Sequence, residues 1–165
     1  MKPDQLHLRY FFCLVFLWCS TQSYAQSARF KQLTVDDGLL QNSVGSINQD
    51  KAGYIWIATG AGINMYDGYD FKSFRHKPND PGSLSANEIT FVFPDSKNNL
   101  WIGTRYNGVN RMDLKTHKIT RLKSDEKGNG NYNAAGAFCI LEDKNGFIYI
   151  GGNNGLNIYN PSTKK

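Results

Sequence analysis

The chain has 165 residues, enough for one domain of ordinary size. Its 40% hydrophobic and 20% charged residues exclude a disordered polyampholyte and a polytopic membrane protein. A net charge of +5 is modest, and 13% aromatic residues with 16 Gly and only 3 Met lean towards an all-β chain rich in tight turns.

The N-terminus reads as a secretory signal peptide over residues 1–25. Lys2 and Arg9 form a basic head, Tyr10 to Cys19 an apolar run too short to span a bilayer, and Ser23-Tyr24-Ala25 a small-x-small cleavage site. Trp18 before Cys19 is too bulky for a lipobox. Cleavage after Ala25 leaves residues 26–165 as the mature chain, exported and with no membrane segment of its own. Cys139 is then the sole cysteine, so no intrachain disulfide forms. Its apolar run Ala137–Leu141 makes it a small buried hydrophobe.

The rest of the chain repeats itself. Three copies align: Asp50-Lys51-Ala52-Gly53-Tyr54-Ile55-Trp56-Ile57-Ala58-Thr59 with Gly62-Ile63-Asn64; Asp95-Ser96-Lys97-Asn98-Asn99-Leu100-Trp101-Ile102-Gly103-Thr104 with Gly108-Val109-Asn110; and Asp143-Lys144-Asn145-Gly146-Phe147-Ile148-Tyr149-Ile150-Gly151-Gly152 with Gly155-Leu156-Asn157. The spacing, roughly 45 to 48 residues, is that of a propeller blade. The approximate repeat limits are 30–68, 69–114 and 115–160.

Each copy resolves into short strands, A to D. Strand A is expected at 44–49, 89–93 and 137–141; B at 54–59, 100–104 and 147–151; C at 63–66, 109–112 and 156–159; D at 71–75 and 118–122. Phe30-Lys31-Gln32-Leu33 resembles Phe71-Lys72-Ser73-Phe74 and is read as a further D strand, giving D-A-B-C three times. Strand B is apolar on both faces, so each sheet needs cover on both sides. Radial stacking of four-stranded sheets supplies it. Gly103 and Gly151, with Ala58 in the equivalent place, suit close approach between blades. The expected fold is therefore all-β: about three four-stranded antiparallel blades of an incomplete β-propeller. A sandwich is the rival architecture, but it does not call for a repeated unit of this length.

The Trp-Ile-Gly-Thr…Gly-[Ile/Leu/Val]-Asn pattern of Trp101–Thr104 and Gly108–Asn110 resembles the two-component regulator propeller repeat. Copy one departs at Ala58; copy three carries Tyr149 for Trp and Gly152 for Thr. Phe30–Val44 resembles the entry into these sensor regions, and Lys77–Ser85 the loop before a new blade. The resemblance implies a periplasmic ligand-sensing region of a hybrid histidine kinase system, often one that regulates use of complex carbohydrates. Members usually carry two propellers, a β-sandwich, a membrane helix and a kinase. No sandwich, membrane-helix or kinase pattern occurs in this sequence, so it looks like the first blades of a longer sensor and is not expected to be an enzyme.

In propellers the D–A and B–C loops share one face. Here those loops are His76–Glu88, Lys123–Gly136, Gly60-Ala61, Arg105–Asn107 and Gly152–Asn154. Arg105, Tyr106, Asn107, Asn153 and Asn154 offer the fork, aromatic face and amides that a glycan or other small solute requires. Residues that recur in every copy are assigned to structure: Trp56, Trp101 and Tyr149; Gly62, Gly108 and Gly155; Asn64, Asn110 and Asn157, the last three bonding backbone within the blade. Recurrence also argues against Asp50, Asp95 and Asp143 as catalytic carboxylates or calcium ligands.

No metal cluster, cofactor motif or nucleotide loop is legible. Lys115, Lys118, Arg121, Lys123 and Lys127 read as edge-strand charges rather than a nucleic-acid patch. Two alternatives stay open. One is a free-standing module that closes by pairing with a second copy of itself, in place of further blades of a longer chain. The other is a propeller glycoside hydrolase or lyase, for which Asp80, Glu88, Asp125 and Glu126 are the available loop acids.

Overall fold

The computed structural model describes residues 28–122, 136–153 and 155–163. The chain divides into two units, Met1–Gln32 and Leu33–Lys165. In the first, residues 28–32 are described and carry no regular element, and Phe30 is exposed. The signal-peptide reading and the loop acids Asp125 and Glu126 lie outside the described residues.

The second unit holds three antiparallel sheets in chain order. Sheet 1 is β1 (Val44–Gln49), β2 (Ile55–Thr59), β3 (Gly62–Tyr66) and β4 (Phe71–Phe74), paired in that order. Sheet 2 is β5 (Ile89–Pro94), β6 (Asn99–Thr104), β7 (Val109–Asp113) and β8 (Ile119–Leu122). Sheet 3 is β9 (Ala137–Glu142), β10 (Ile148–Gly152) and β11 (Gly155–Tyr159), with three strands among the described residues. The expected A to D order holds in sheets 1 and 2. The expected D strand at Phe30–Leu33 does not form: residues 28–34 carry no strand. Of the C strands, β3 and β7 already pair with β4 and β8, and β11 is an edge strand among the described residues.

The sheets are copies down to their irregularities. Each innermost strand carries a bulge at its start, between Val44 and Ser46, Ile89 and Phe91, and opposite Gly151 and Gly152. The register then makes Ser46, Phe91 and Cys139 equivalent, opposite Ala58, Gly103 and Gly151.

Two cores lie between the sheets. Trp56, Ala58 and Ile63 of sheet 1 meet Val92, Leu100, Ile102 and Met112 of sheet 2, with Leu84 of the intervening loop sealed among them. On the other face of sheet 2, Trp101 and Val109 meet Ala137, Ile140, Ile148 and Ile150 of sheet 3. This is why strand B lacks alternation. Leu100 and Ile102 serve one core and Trp101 the other, and all three are at most 1% exposed. Each such side chain contributes about 1.5–3 kcal/mol through burial.

The sheets are packed like a fan. Neighbouring sheets touch along their inner strands, β1 and β2 with β5, and β5 and β6 with β9. There the Ser46 hydroxyl accepts from the Val92 amide (2.9 Å) and the Asn48 amide donates to the Val92 carbonyl (2.7 Å). At Gly103 a Cβ would stand 2.8 Å from the Ala137 carbonyl oxygen, so the glycine permits the approach of sheet 3.

Cys139 is a correction. It is exposed, not buried. Its equivalent in sheet 2, Phe91, packs against the core shared with sheet 3, whereas among the described residues no sheet covers the corresponding face of β9.

Candidate functional site

The recurrent residues build the frame. Asp50 Oδ1 accepts from the Ala52 and Tyr54 amides (2.9 and 3.0 Å), and its Oδ2 accepts from Trp56 Nε1 (2.8 Å). Asp95 repeats this with Lys97, Asn99 and Trp101 (2.9, 2.8 and 2.9 Å). One carboxylate thus closes the A–B turn and satisfies the only polar atom of a buried indole. Asp143 holds the Asn145 and Phe147 amides (both 2.9 Å), but among the described residues its other oxygen meets only the Tyr149 hydroxyl at 3.4 Å. Asp50 and Asp95 are buried and Asp143 half-buried, each committed to its own turn.

At the other end of the strands, Thr59 and Thr104 close the B–C turns. Their hydroxyls donate to Gly62 and Gly108 carbonyls (2.9 and 2.7 Å) and accept from the Ala61 and Asn107 amides (3.1 and 2.9 Å). Gly62, Gly108 and Gly155 have φ of 128, 73 and 95°, the left-handed region that favours glycine. Two of the recurrent Asn residues bond backbone of their own repeat. Asn64 accepts from the Leu40 amide (2.9 Å), and Asn110 from the Ser85 amide (3.0 Å). They tie strand C to the segment that leads into the first strand of the same repeat, and Asn110 thereby fixes the D–A loop.

That loop is further held by Arg121 of β8. Its guanidinium donates to the carbonyls of Asp80 (2.7 Å), Ser83 (3.0 Å) and Leu84 (3.1 Å). The sequence alone places Arg121 in a basic edge strand. Only the return of the loop over sheet 2 gives it this role.

The B–C loop of sheet 2 stands beside this braced D–A loop. The Arg105 amide donates to the Glu88 carbonyl (3.0 Å), and the Ser85 hydroxyl donates to the Asn107 carbonyl (3.0 Å). Arg105, Tyr106 and Asn107 are all exposed, with Tyr106 at 64%. Arg105 Nε donates to the Tyr106 hydroxyl (3.0 Å), and the guanidinium lies 5.6 Å from the Tyr106 ring centre. The guanidinium is charged whatever its neighbours, and the Tyr106 hydrogen bond pushes its pKa further up. Gly136 packs against the Arg105 backbone, and Gly152 against the Gly136 carbonyl. The Asn153 loop is therefore brought to the same end as Arg105, one sheet along, and Asn153 is exposed there. Asn154 lies outside the described residues.

A second polar concavity of about 260 Å³ lies at the opposite end of sheet 2, lined by Asn99, Arg111, Asp113, Thr116, Lys118 and Thr120. Sequence reasoning passed over it, although the repeat carries the signal. Register equates Asn99 with Tyr54 and Phe147, and Arg111 with Met65 and Ile158. Among the described residues no three His, Cys, Asp or Glu side chains cluster as metal ligands, and no helix is long and apolar enough to cross a membrane.

Comparison with known proteins bears on this frame. The family profile "two component regulator propeller" matches residues 38–61, 83–106 and 131–154. Over 70 residues the chain is 43% identical to histidine kinase P4 of Formosa agariphila; the match takes in 42% of this chain and 5% of that protein. The extracellular domain assigned to a hybrid two component system of B. thetaiotaomicron superposes with a TM-score of 0.50 at 24% identity, over 86% of this chain and 24% of that one. An extracellular domain assigned to a one component system of the same organism gives 0.43 at 19% identity, over 77% and 24%. The chain thus spans a small part of the proteins it matches, and the superposition speaks for the fold alone.

Proposed function

The chain is an array of two-component regulator propeller repeats, and from that premise we propose that it serves as an exported, periplasmic blade array in the ligand-sensing region of a hybrid two-component system. The matched segments lie within the sensor repeats of a histidine kinase, and no catalytic domain is evident in them. The proposed ligand is a glycan or other small solute, taken at the loop face by Arg105, Tyr106, Asn107, Asn153 and Asn154. The observation that carries this reading is the Arg105–Tyr106 pair, a charged fork against an exposed ring on a loop anchored at both Glu88 and Ser85. A fork and an aromatic face are what sugar hydroxyls and sugar faces require. Calorimetric titration with a panel of oligosaccharides tests it. Binding lost in Tyr106→Ala and Arg105→Met supports the assignment; binding indifferent to both removes it.

A second observation concerns partners. Leu141, Leu156 and Ile158 on sheet 3 are 61, 65 and 52% exposed, and they share a face with Tyr149 in the register. We infer that this face takes a further blade of a longer chain or, alternatively, a second copy of this one. Light scattering separates these: a concentration-dependent dimer that Leu141→Glu dissolves favours the second copy, and a persistent monomer favours the blade.

A further inference from the structure

We propose that sheet 2 carries a site for small hydroxylated carboxylates of sugar-acid size, at the end remote from the Arg105 loop and built on Arg111. The first ground is the repeat itself. Trp101, Arg111 and Thr120 lie in register across β6, β7 and β8. The residues equivalent to Arg111 are Met65 and Ile158, and those equivalent to Asn99 are Tyr54 and Phe147. Sheets 1 and 3 thus form with aromatic or aliphatic side chains at both places. Sheet 2 alone carries an amide and a guanidinium there, and both line one concavity.

The second ground is where the hydrogen-bonding capacity goes. Asp113 Oδ1 accepts from the amides of Lys115 and Thr116 (2.9 and 2.8 Å) and from the Thr116 hydroxyl (3.0 Å). These two residues fix the turn that floors the site, and the Thr116 bonds, first of several, hold the Asp113 carboxyl below its ordinary pKa. Asn99 commits its amide nitrogen to Asp95 (2.9 Å) and keeps its carbonyl oxygen. Among the described residues the half-buried Arg111 guanidinium, the Lys118 ammonium and the Thr120 hydroxyl have no side-chain bonds. A guanidinium matches a carboxylate in two parallel bonds, and an ammonium adds a second positive charge. The second Asp113 oxygen and the Asn99 carbonyl can accept from hydroxyls of the same ligand. A volume of about 260 Å³ suits one monosaccharide unit.

The test is calorimetric titration of the full chain with D-glucuronate, D-glucose and inorganic sulfate. Glucuronate is expected to bind saturably, and glucose and sulfate at least tenfold more weakly. Arg111→Met, which installs the residue of sheet 1, is expected to lose at least tenfold in affinity with an unchanged melting temperature. Arg111→Lys, which keeps charge without the fork, should fall between. Arg105→Met should leave glucuronate binding intact, which separates this site from the loop face. Absence of saturable binding, glucose or sulfate binding as tightly as glucuronate, or full affinity in Arg111→Met overturns the proposal.

Discussion

Asp95→Asn probes the clasp that joins turn, indole and core. The substitution keeps the shape of the side chain and the Oδ1 acceptor for the Lys97 and Asn99 amides. It turns Oδ2, which accepts from Trp101 Nε1 and Asn99 Nδ2 (both 2.9 Å), into a donor. Trp101 is 1% exposed, so its N–H has no water to turn to. A buried donor left unpaired costs about 1–3 kcal/mol, and loss of charge on the turn acceptor adds roughly 1 more. Flipping the amide only transfers the loss to the turn. We expect destabilisation of about 2–4 kcal/mol. Asp143→Asn makes the same change where the partner of Oδ2 is a half-buried Tyr149 hydroxyl at 3.4 Å that can rotate to solvent, so only the charge on the turn acceptor is lost, at about 1 kcal/mol. Urea unfolding followed by circular dichroism, extrapolated linearly, gives both values. Equal costs, or the greater cost at Asp143, refute the assignment of the clasp as a buried bond.

Other contacts give further expectations. His117 of the β7–β8 turn lies 6.3 and 5.3 Å from the rings of Trp56 and Phe74, with its Nδ1 3.2 Å from Lys72 Nζ and Asp113 on its own turn. Burial first, and then Lys72, lower its pKa against the opposing pull of Asp113. The folded state thus favours the neutral ring, so stability is full above the ordinary histidine value and falls as pH drops from there towards the lowered folded pKa. Urea midpoints taken between about pH 5 and pH 8 should show this, and His117→Asn, which tolerates the local φ of 56°, should flatten it. Gly103→Ala drives a Cβ against the Ala137 carbonyl and should cost about 1–3 kcal/mol in the same unfolding assay. Arg121→Met releases the carbonyls of Asp80, Ser83 and Leu84, and should speed proteinase cleavage within residues 76–88 with little change in global stability.

The sheets were legible because the chain states them three times. Asp50, Asp95 and Asp143 each precede an aromatic residue by the same interval, and the glycines of the B–C turns recur with them. Repetition identified these residues as frame but gave no partners: that Asp95 bonds Trp101, or that Asn110 reaches back to Ser85, needs the third dimension. Cys139 was misread because an apolar run reports what a strand could bury, not which sheet stands against it. Phe30–Leu33 was misread because likeness to Phe71–Phe74 carries no information about a pairing strand. Arg111 shows the reverse: the signal lay in the departure from the repeat, while attention went to loops, where function is usually carried.

The account depends most on the indoles of Trp56 and Trp101 being sealed between neighbouring sheets. Hydrogen exchange of their indole N–H groups, followed by NMR, measures that directly. Slow exchange at both, with Asp95→Asn releasing Trp101 and leaving Trp56 protected, is the predicted result. Complete exchange of both groups as soon as the protein meets heavy water would contradict it.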